Sequence, residues 1–307
     1  MAEAPLLAPD RRAGELVGIG QISLDRVLRV DQLPAPGEKR RVLSERVLPG
    51  GQVATALLAA ARLGARCRFA GAIGADDAGE RARAPLAAAG IDLTHLAVLA
   101  GVPSRTATVL VDETTGERCI LERRAPALVL PVPPLPEDEL TRAALVLLDL
   151  EHLEAARWVL EVAAAAAVPV LIDVDRASEG ALGLLREAAL PVVSESFARE
   201  LAAGSPQQTL AALRGPRTRL AVLTRGERGS LAIFGDLVIE TPALPVRVVD
   251  TTGAGDVFRG ALAWASLAGR GPRAALEFAN AAAALSCRAP GAQGALPTRS
   301  EVEARLD

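Results

Sequence analysis

Short apolar runs alternate with longer apolar stretches along most of this chain, the pattern of strands covered by helices. Residues 15–20 form a buried-strand run that ends at Gly20. Residues 24–30 then alternate apolar and charged side chains at period two, which predicts a strand with one wet face. After a turn at 33–37 the chain extends again over 40–48. A helix is predicted over 53–63, stopped by Gly64, followed by a strand at 67–72, a loop at 74–79 and a helix up to residue 89. Residues 104–111 and 118–122 are extended runs either side of a polar turn, 112–117. From residue 143 the alternation is regular, with strands at 145–150, 168–173, 192–193 and 220–224 and helices at 154–166, 178–189 and 196–202. A β-branched run at 246–249 reads as a strand end. An alanine-rich apolar helix pattern follows from 257 to 267, and another runs through 277–287. The proline-rich stretch 125–137 reads as a connection.

This order predicts an α/β fold: a doubly wound, mostly parallel sheet flanked by helices, with residues 1–307 forming one domain. Strands contributed by 25–48 and 104–123 have no helices of their own and make a small separate sheet. Such a sheet suits a lid that closes over a substrate, and an edge hairpin or a dimer contact would use the same pattern. Ligands in open α/β sheets bind beyond the carboxyl ends of the strands. Asp149, Asp173, Ser194, Thr224 and Asp250 all fall at such predicted ends.

The densest chemistry lies in residues 250–258, Asp-Thr-Thr-Gly-Ala-Gly-Asp-Val-Phe. Small residues before a helix let consecutive N–H groups converge, and the helix start adds partial positive charge, so the segment predicts an anion pocket. Asp256 at its rim is either a helix cap or a base placed where negative charge gathers. Gly18 and Gly20 invite a dinucleotide reading, but Ser23 stands at the third glycine's place and a strand follows instead of a helix. Asp25 is placed to bind hydroxyls or to stabilise a turn. Gly50 and Gly51 open a helix and permit close approach of a ligand, with Gln52 and Thr55 in its first turn. Asn280 is a polar residue in an apolar helix and predicts a hydrogen-bonding role.

Composition narrows the options. Half of the 307 residues are apolar, enough for a substantial core, and the net charge of −3 carries no basic footprint for nucleic acid or an anionic membrane. Three separated cysteines and two histidines leave little material for a disulfide framework, a histidine metal site or a catalytic triad. The N-terminus lacks a signal-peptide core, and no uninterrupted apolar stretch is long enough to span a membrane, so a cytoplasmic location is expected.

The chain resembles the ribokinase-like (phosphofructokinase-B-type) sugar kinases over essentially its whole length. The resemblance rests on residues 250–256 followed by Phe258 and Gly260-Ala261-Leu262, with Gly50-Gly51, Arg62-Leu63-Gly64-Ala65, Gly71, Gly74, Asp76, Gly79, Gly116-Glu117-Arg118, Thr224, Gly226, Gly229 and Pro290-Gly291-Ala292 in support. Residues 50–56 and Ser194-Glu195 are more similar to the ketohexokinase and sulfofructose-kinase branches than to ribokinase itself. The resemblance implies transfer of the γ-phosphoryl group of ATP to a sugar hydroxyl. It assigns Asp256 as catalytic base and the amides of Gly253, Ala254 and Gly255 as anion hole. It places Asp25, Gly50, Gly51, Thr55 and Arg118 at the sugar, and Ser194, Thr224, Gly226, Gly229 and Asn280 at the nucleotide. Asp250 and Thr252 match positions that ligate a monovalent cation, potassium, and Glu195 would reach magnesium through water. Two departures stand out: Thr55 replaces a common Asn, and an Asn-x-x-Glu pattern has become Ser194-x-x-Phe197. Arg105, Arg118 and Arg123 are either solvated strand arginines or contacts for an anionic substituent on the substrate. A nucleoside kinase and a catalytically idle sugar- or nucleotide-binding regulator are the alternatives; the lid strands contain no aromatic platform for a base. The lid is also the candidate surface for a homodimer.

Overall fold

The computed structural model describes residues 4–11, 14–116, 118–174, 177, 180–201 and 204–306. In chain order the strands are β1 (Leu16–Ile19), β2 (Ser23–Val30), β3 (Val42–Gly50), β4 (Cys67–Gly74), β5 (Asp92–Leu99), β6 (Thr106–Asp112), β7 (Arg118–Arg123), β8 (Leu145–Asp149), β9 (Val170–Val174), β10 (Leu190–Ser194), β11 (Leu220–Thr224), β12 (Ser230–Phe234) and β13 (Leu237–Thr241). The helices are α1 (Gln52–Arg62), α2 (Asp77–Ala88), α3 (Glu137–Thr141), α4 (Leu153–Ala165), α5 (Ala181–Glu187), α6 (Glu195–Glu200), α7 (Pro206–Leu213), α8 (Ala254–Leu267), α9 (Pro272–Ser286) and α10 (Arg299–Glu303). Glu117 of the predicted turn, residues 178 and 179 of the predicted helix 178–189, and the end of helix 196–202 lie outside the described residues.

The main sheet runs β13-β12-β11-β10-β9-β8-β1-β4-β5 and is parallel except for the terminal β12–β13 hairpin. Strand order reverses at the β1–β8 pair, which marks the crevice where such sheets bind ligands. The strands are buried on both faces because their alternate residues enter two separate cores. In β8, Leu145 and Leu147 pack with Val53, Leu57, Leu262 and Phe278 of α1, α8 and α9. Val146 and Leu148 pack on the other side with Val159, Leu160, Phe197 and Leu210. Asp149 at the end of β8 and its register partner Asp173, one residue before the end of β9, lie on the α8 side, fully buried.

The second sheet runs β3-β2-β6-β7, with β2 and β6 parallel and the two outer strands antiparallel to them. It is the predicted separate sheet, and it is tied to the body at defined points. Asp76, the cap of α2, accepts from Gly79 N (2.9 Å), Ser104 N (2.9 Å) and Ser104 Oγ (2.6 Å), fixing where the chain enters β6. These hydrogen bonds outweigh burial and hold the Asp76 carboxyl below its usual range.

One predicted element is corrected. Residues 246–249 form no strand, and Val248 and Val249 are exposed. The N–H groups of Val249 and Asp250 go to the carbonyl of Cys287 at the end of α9 (2.8 and 3.2 Å), not to a sheet neighbour. Asp250 is therefore held by a helix terminus, whereas Asp149, Ser194 and Thr224 do end strands and Asp173 stands one residue before the end of its strand. Strand β5, the β12–β13 hairpin and helices α3, α7 and α10 were not foreseen from the apolar pattern.

Candidate active site

The turn before α8 builds the anion pocket from backbone. Gly253 caps the helix in the left-handed region (φ 75°, ψ 0°), and a Cβ there would come within 2.5 Å of Ala292 Cβ. A larger residue is excluded on both counts. First-turn N–H groups have no acceptor within their own helix, and Gly255 carries one of them at the α8 start. The Ala254 amide instead turns back to Thr251 O at 3.2 Å, at the long end of the ordinary range. Asp256 sits in this first turn, beside the opening.

Asp250 fixes the turn by both carboxylate oxygens: Oδ1 accepts from Thr252 N and Oδ2 from Gly291 N, each at 2.8 Å. The Thr252 hydroxyl is buried without a hydrogen-bond partner. An oxygen in that state beside a carboxylate is the kind of ligand a monovalent cation takes, which fits the predicted role of Asp250 and Thr252.

The sugar-side residues meet at the β2–β3 corner. Ser23 and Gly50 are paired in register, and Ser23 Oγ donates to Asp25 Oδ1 at 2.8 Å. Any Cβ on Gly50 would collide with the Asp25 carboxylate, so this glycine makes room for it. Burial raises the Asp25 carboxyl above its usual range, against the lowering hydrogen bond from Ser23 and the charge of Arg105. Thr55 is fully buried in α1, and its hydroxyl accepts from Gln293 Nε2 at 3.2 Å. Gln293 follows directly on Ala292, which backs Gly253, so the sugar-side helix and the anion pocket share one support.

Arg118 lies elsewhere. It pairs across β6 with the row of Arg29, four residues along from the row of Asp25 and Glu122, roughly 13 Å by strand rise. Its Nη1 donates to Thr251 Oγ1 at 3.0 Å, which puts it over the anion pocket's entry turn. Arg105 is nearly buried and held by two carboxylates, Glu122 of the lid (2.6 Å) and Glu151 after β8 (3.1 Å). Glu151 also pairs with Arg124 and takes the Gln21 side-chain amide at 2.5 Å. Asp149 accepts from Gln21 N (2.7 Å) and Glu151 N (3.0 Å), and burial pushes its carboxyl up to about 7. Asp149 and Arg105 of this group stand out in the sequence, as a strand end and as a lid arginine, whereas Glu151, Glu122, Arg124 and Gln21 at the β1–β8 crevice were missed.

The nucleotide-side residues also converge. Ser194 and Thr224 are register partners at the ends of β10 and β11, and Gly226 and Gly229 shape the turn into β12. Asn280 is 7% exposed, and its Nδ2 lies within hydrogen-bond distance of Ser230 Oγ, Thr241 Oγ1 and Thr241 O (3.0, 2.8 and 3.3 Å). Its nitrogen is thus spent on pinning α9 to the β12–β13 hairpin. Ser194 caps α6 with its hydroxyl. Glu195 is paired with Arg228, and Phe197 is wholly buried in the core. Among the described residues no three His, Cys, Asp or Glu side chains are grouped to hold a metal. No helix among them is long and apolar enough to cross a membrane.

Comparison with known proteins bears on the family and the fold. The family model described as pfkB family carbohydrate kinase matches residues 13–299. A Bacillus subtilis ribokinase is 31% identical over 293 residues, covering 94% of this chain and 98% of that protein. A solved structure from Agrobacterium tumefaciens superposes with a TM-score of 0.86 at 32% identity, covering 95% of this chain and 96% of that one. Arabidopsis thaliana ribokinase complexed with ribose and ATP gives 0.81 at 25% identity over 96% and 99%.

Proposed function

From a chain that belongs to the pfkB family of carbohydrate kinases, we propose a reaction in which the γ-phosphoryl group of ATP passes to a hydroxyl of an uncharged sugar, with Asp256 as base. The chain is an ATP-dependent carbohydrate kinase by family; the acceptor class and the residue roles are the reading offered here. A sugar hydroxyl is a poor nucleophile near neutral pH, so a carboxylate within reach of its proton is required. The amides around Gly253 and Gly255 then meet the charge on the phosphoryl group in transit.

The observation that carries the reading is the joining of the two ends through residues 290–293. Ala292 backs Gly253 at the anion pocket, Gly291 is held by Asp250, and Gln293 reaches Thr55 in the sugar-side helix. An uncharged acceptor follows from the charge count at the crevice. Asp25, Glu122 and Glu151 face Arg105 and Arg124, and Arg105 is already committed to two of those carboxylates. A phosphate or sulfonate would meet excess negative charge there.

Magnesium, the usual partner of ATP in such kinases, finds no protein cage here, since Glu195 is paired with Arg228 and Phe197 is apolar. Its ligands would be phosphate oxygens and water, as this hard cation prefers. Asp250 and Thr252 are the residues for potassium. We also read residues 1–307 as one cytoplasmic kinase domain, assembled as a homodimer through the lid. Its outer strands leave Val42, Leu43, Val47, Ile120 and Leu121 exposed, and a monomer by sedimentation would remove the dimer.

The test is ADP release by the purified protein with magnesium and potassium across ketoses, aldoses, nucleosides, sugar phosphates and sugar acids. Stimulation by a neutral ketose or aldose is expected. Stimulation by anionic sugars alone would overturn the uncharged acceptor, and stimulation by nucleosides alone would transfer the site to the nucleoside kinases. ATP binding without stimulation by any of them would make the chain a regulator.

A further inference from the structure

Helix α8 carries one charged side chain in its interior, Arg259, and among the described residues it is the largest side chain that is fully buried. It lies one turn after Asp256. Its Nη2 is 2.5 Å from Asp173 Oδ1, and its Nη1 is 3.7 Å from Asp256 Oδ1. The same Nη1 lies beneath Gly255, where a Cβ would stand only 2.8 Å from it. The guanidinium therefore occupies the floor between the anion pocket, the base and the end of β9.

A buried ion pair is a poor way to gain stability, because the desolvation of both charges offsets their attraction. An apolar side chain of similar volume would fill this position against β8 and β9 at least as well. The charge needs a reason in the site above it. The unequal distances supply one. Asp173 takes the short contact and keeps the guanidinium from settling onto Asp256. At 3.7 Å the contact with Asp256 is beyond hydrogen-bond reach, so it does not consume the oxygen that must accept a proton. The positive charge still lies along one side of Asp256 and bears on the direction of its carboxylate.

We propose that Arg259, anchored by Asp173, is a positioning residue that holds Asp256 as an oriented carboxylate beneath the acceptor hydroxyl. This rests on the kinase reading above, in which Asp256 is the base. Arg259 does not touch substrate: it is 1% exposed. Its effect belongs in the rate of the chemical step, not in the binding of sugar or ATP.

Removing Arg259 alone would take a buried cation away from Asp173 and endanger folding. The test therefore neutralises both charges together, in the double variant Asp173→Asn with Arg259→Met, and in a second double variant, Asp173→Asn with Arg259→Gln, that keeps a hydrogen-bonded pair. Arg259→Lys, which keeps the charge, and Asp256→Asn are measured beside them. The readouts are the melting temperature, kcat and KM for the best sugar of the screen, and ATP hydrolysis by water without sugar. Both double variants should fold, with kcat and the hydrolysis rate down roughly 10- to 100-fold and both KM values within about threefold. Arg259→Lys should recover much of the lost rate. A folded double variant with kcat within threefold of the parent would overturn the proposal, as would a loss confined to KM or a lysine variant no better than the neutral ones. If Asp256→Asn itself keeps the parent's rates, the kinase assignment of the base fails instead, and the two failures are told apart by that variant.

Discussion

At the phosphoryl end of the cleft the chemistry rests on backbone. In the proposed reaction Gly253, in its left-handed conformation, and the first-turn amides of α8 make the pocket, and Asp256 is the base. At the acceptor end the opposite holds. There Asp25, Ser23, Glu151, Arg105, Glu122 and Gln21, drawn from the lid and from both sides of the β1–β8 crevice, make the surface out of side chains. A backbone device needs small residues at fixed spacing and little else, so it can be copied between enzymes with different substrates. A side-chain device can be rewritten residue by residue. The contrast teaches that rate and specificity are separable here, and each variant below strikes one end.

Asp256→Asn should have the largest effect. The amide keeps the shape of the carboxylate but cannot take the hydroxyl proton, so kcat should fall about 10²- to 10⁴-fold, the usual worth of a positioned base. Sugar and ATP binding by calorimetry should stay within a few-fold of the parent. A loss of sugar affinity equal to the loss of rate would show that Asp256 belongs to the binding surface and would erase the contrast between the ends.

Gly253→Ala should come next. The substitution forces a left-handed alanine and a collision with Ala292, so the cap of α8 must shift. Displacing the pocket amides should cost roughly 10- to 100-fold in kcat with sugar KM little changed. A raised sugar KM at full kcat would mean that the turn serves the acceptor instead.

Arg105→Met attacks the other end. It leaves Glu122 and Glu151 facing each other across the join of lid and body, which should weaken closure over the sugar. Sugar KM should rise about tenfold, a little over one kcal/mol of binding, while ATP KM and the sugar-free hydrolysis rate hold. If ATP KM rises as much as sugar KM, Arg105 is a strut for the whole cleft and not for one end of it.

The same division explains what could be read from the chain. Residues 250–256 carry their own geometry, because glycines and a helix start act locally, although α8 begins at Ala254 instead of residue 257 and the Ala254 amide is spent on Thr251. The strands that failed to show are those whose partners decide them. Asp92–Leu99 mixes polar and apolar residues and becomes β5 only because β4 offers an edge. The valines at 246–249 have the opposite fate, since they pair with no described strand and the N–H of Val249 goes to Cys287 at the end of α9. Glu151, Arg105 and Glu122 are far apart in sequence and meet only through topology. Arg259 had a local sign that passed unnoticed, a single cation in an otherwise apolar helix. Asn280 in α9 gave the same kind of sign and does have the polar partners it calls for.

The smallest expected effect concerns Asp149, beneath the acceptor end. Burial lifts its carboxyl from an ordinary 3.8 to about 7, against the N–H bonds of Gln21 and Glu151 that favour the charged form. A folded pKa above the unfolded one means that its stabilising share is complete below about pH 4, declines as pH rises, and is gone above about pH 7. Asp149→Asn removes that decline. The amide also has one acceptor oxygen where the carboxylate uses two, so it loses one N–H bond at every pH, a constant cost of about 1–3 kcal/mol. The difference in melting temperature, variant minus parent, should therefore be negative at pH 5 and climb by several degrees toward pH 8. Subtracting the parent cancels the carboxyls such as Asp76 and Asp112, which are held low and lose their contribution only in acid. A difference that stays flat from pH 5 to 8 would mean that Asp149 is ionised throughout. The crevice would then hold one more negative charge at neutral pH, making it still less hospitable to an anionic sugar.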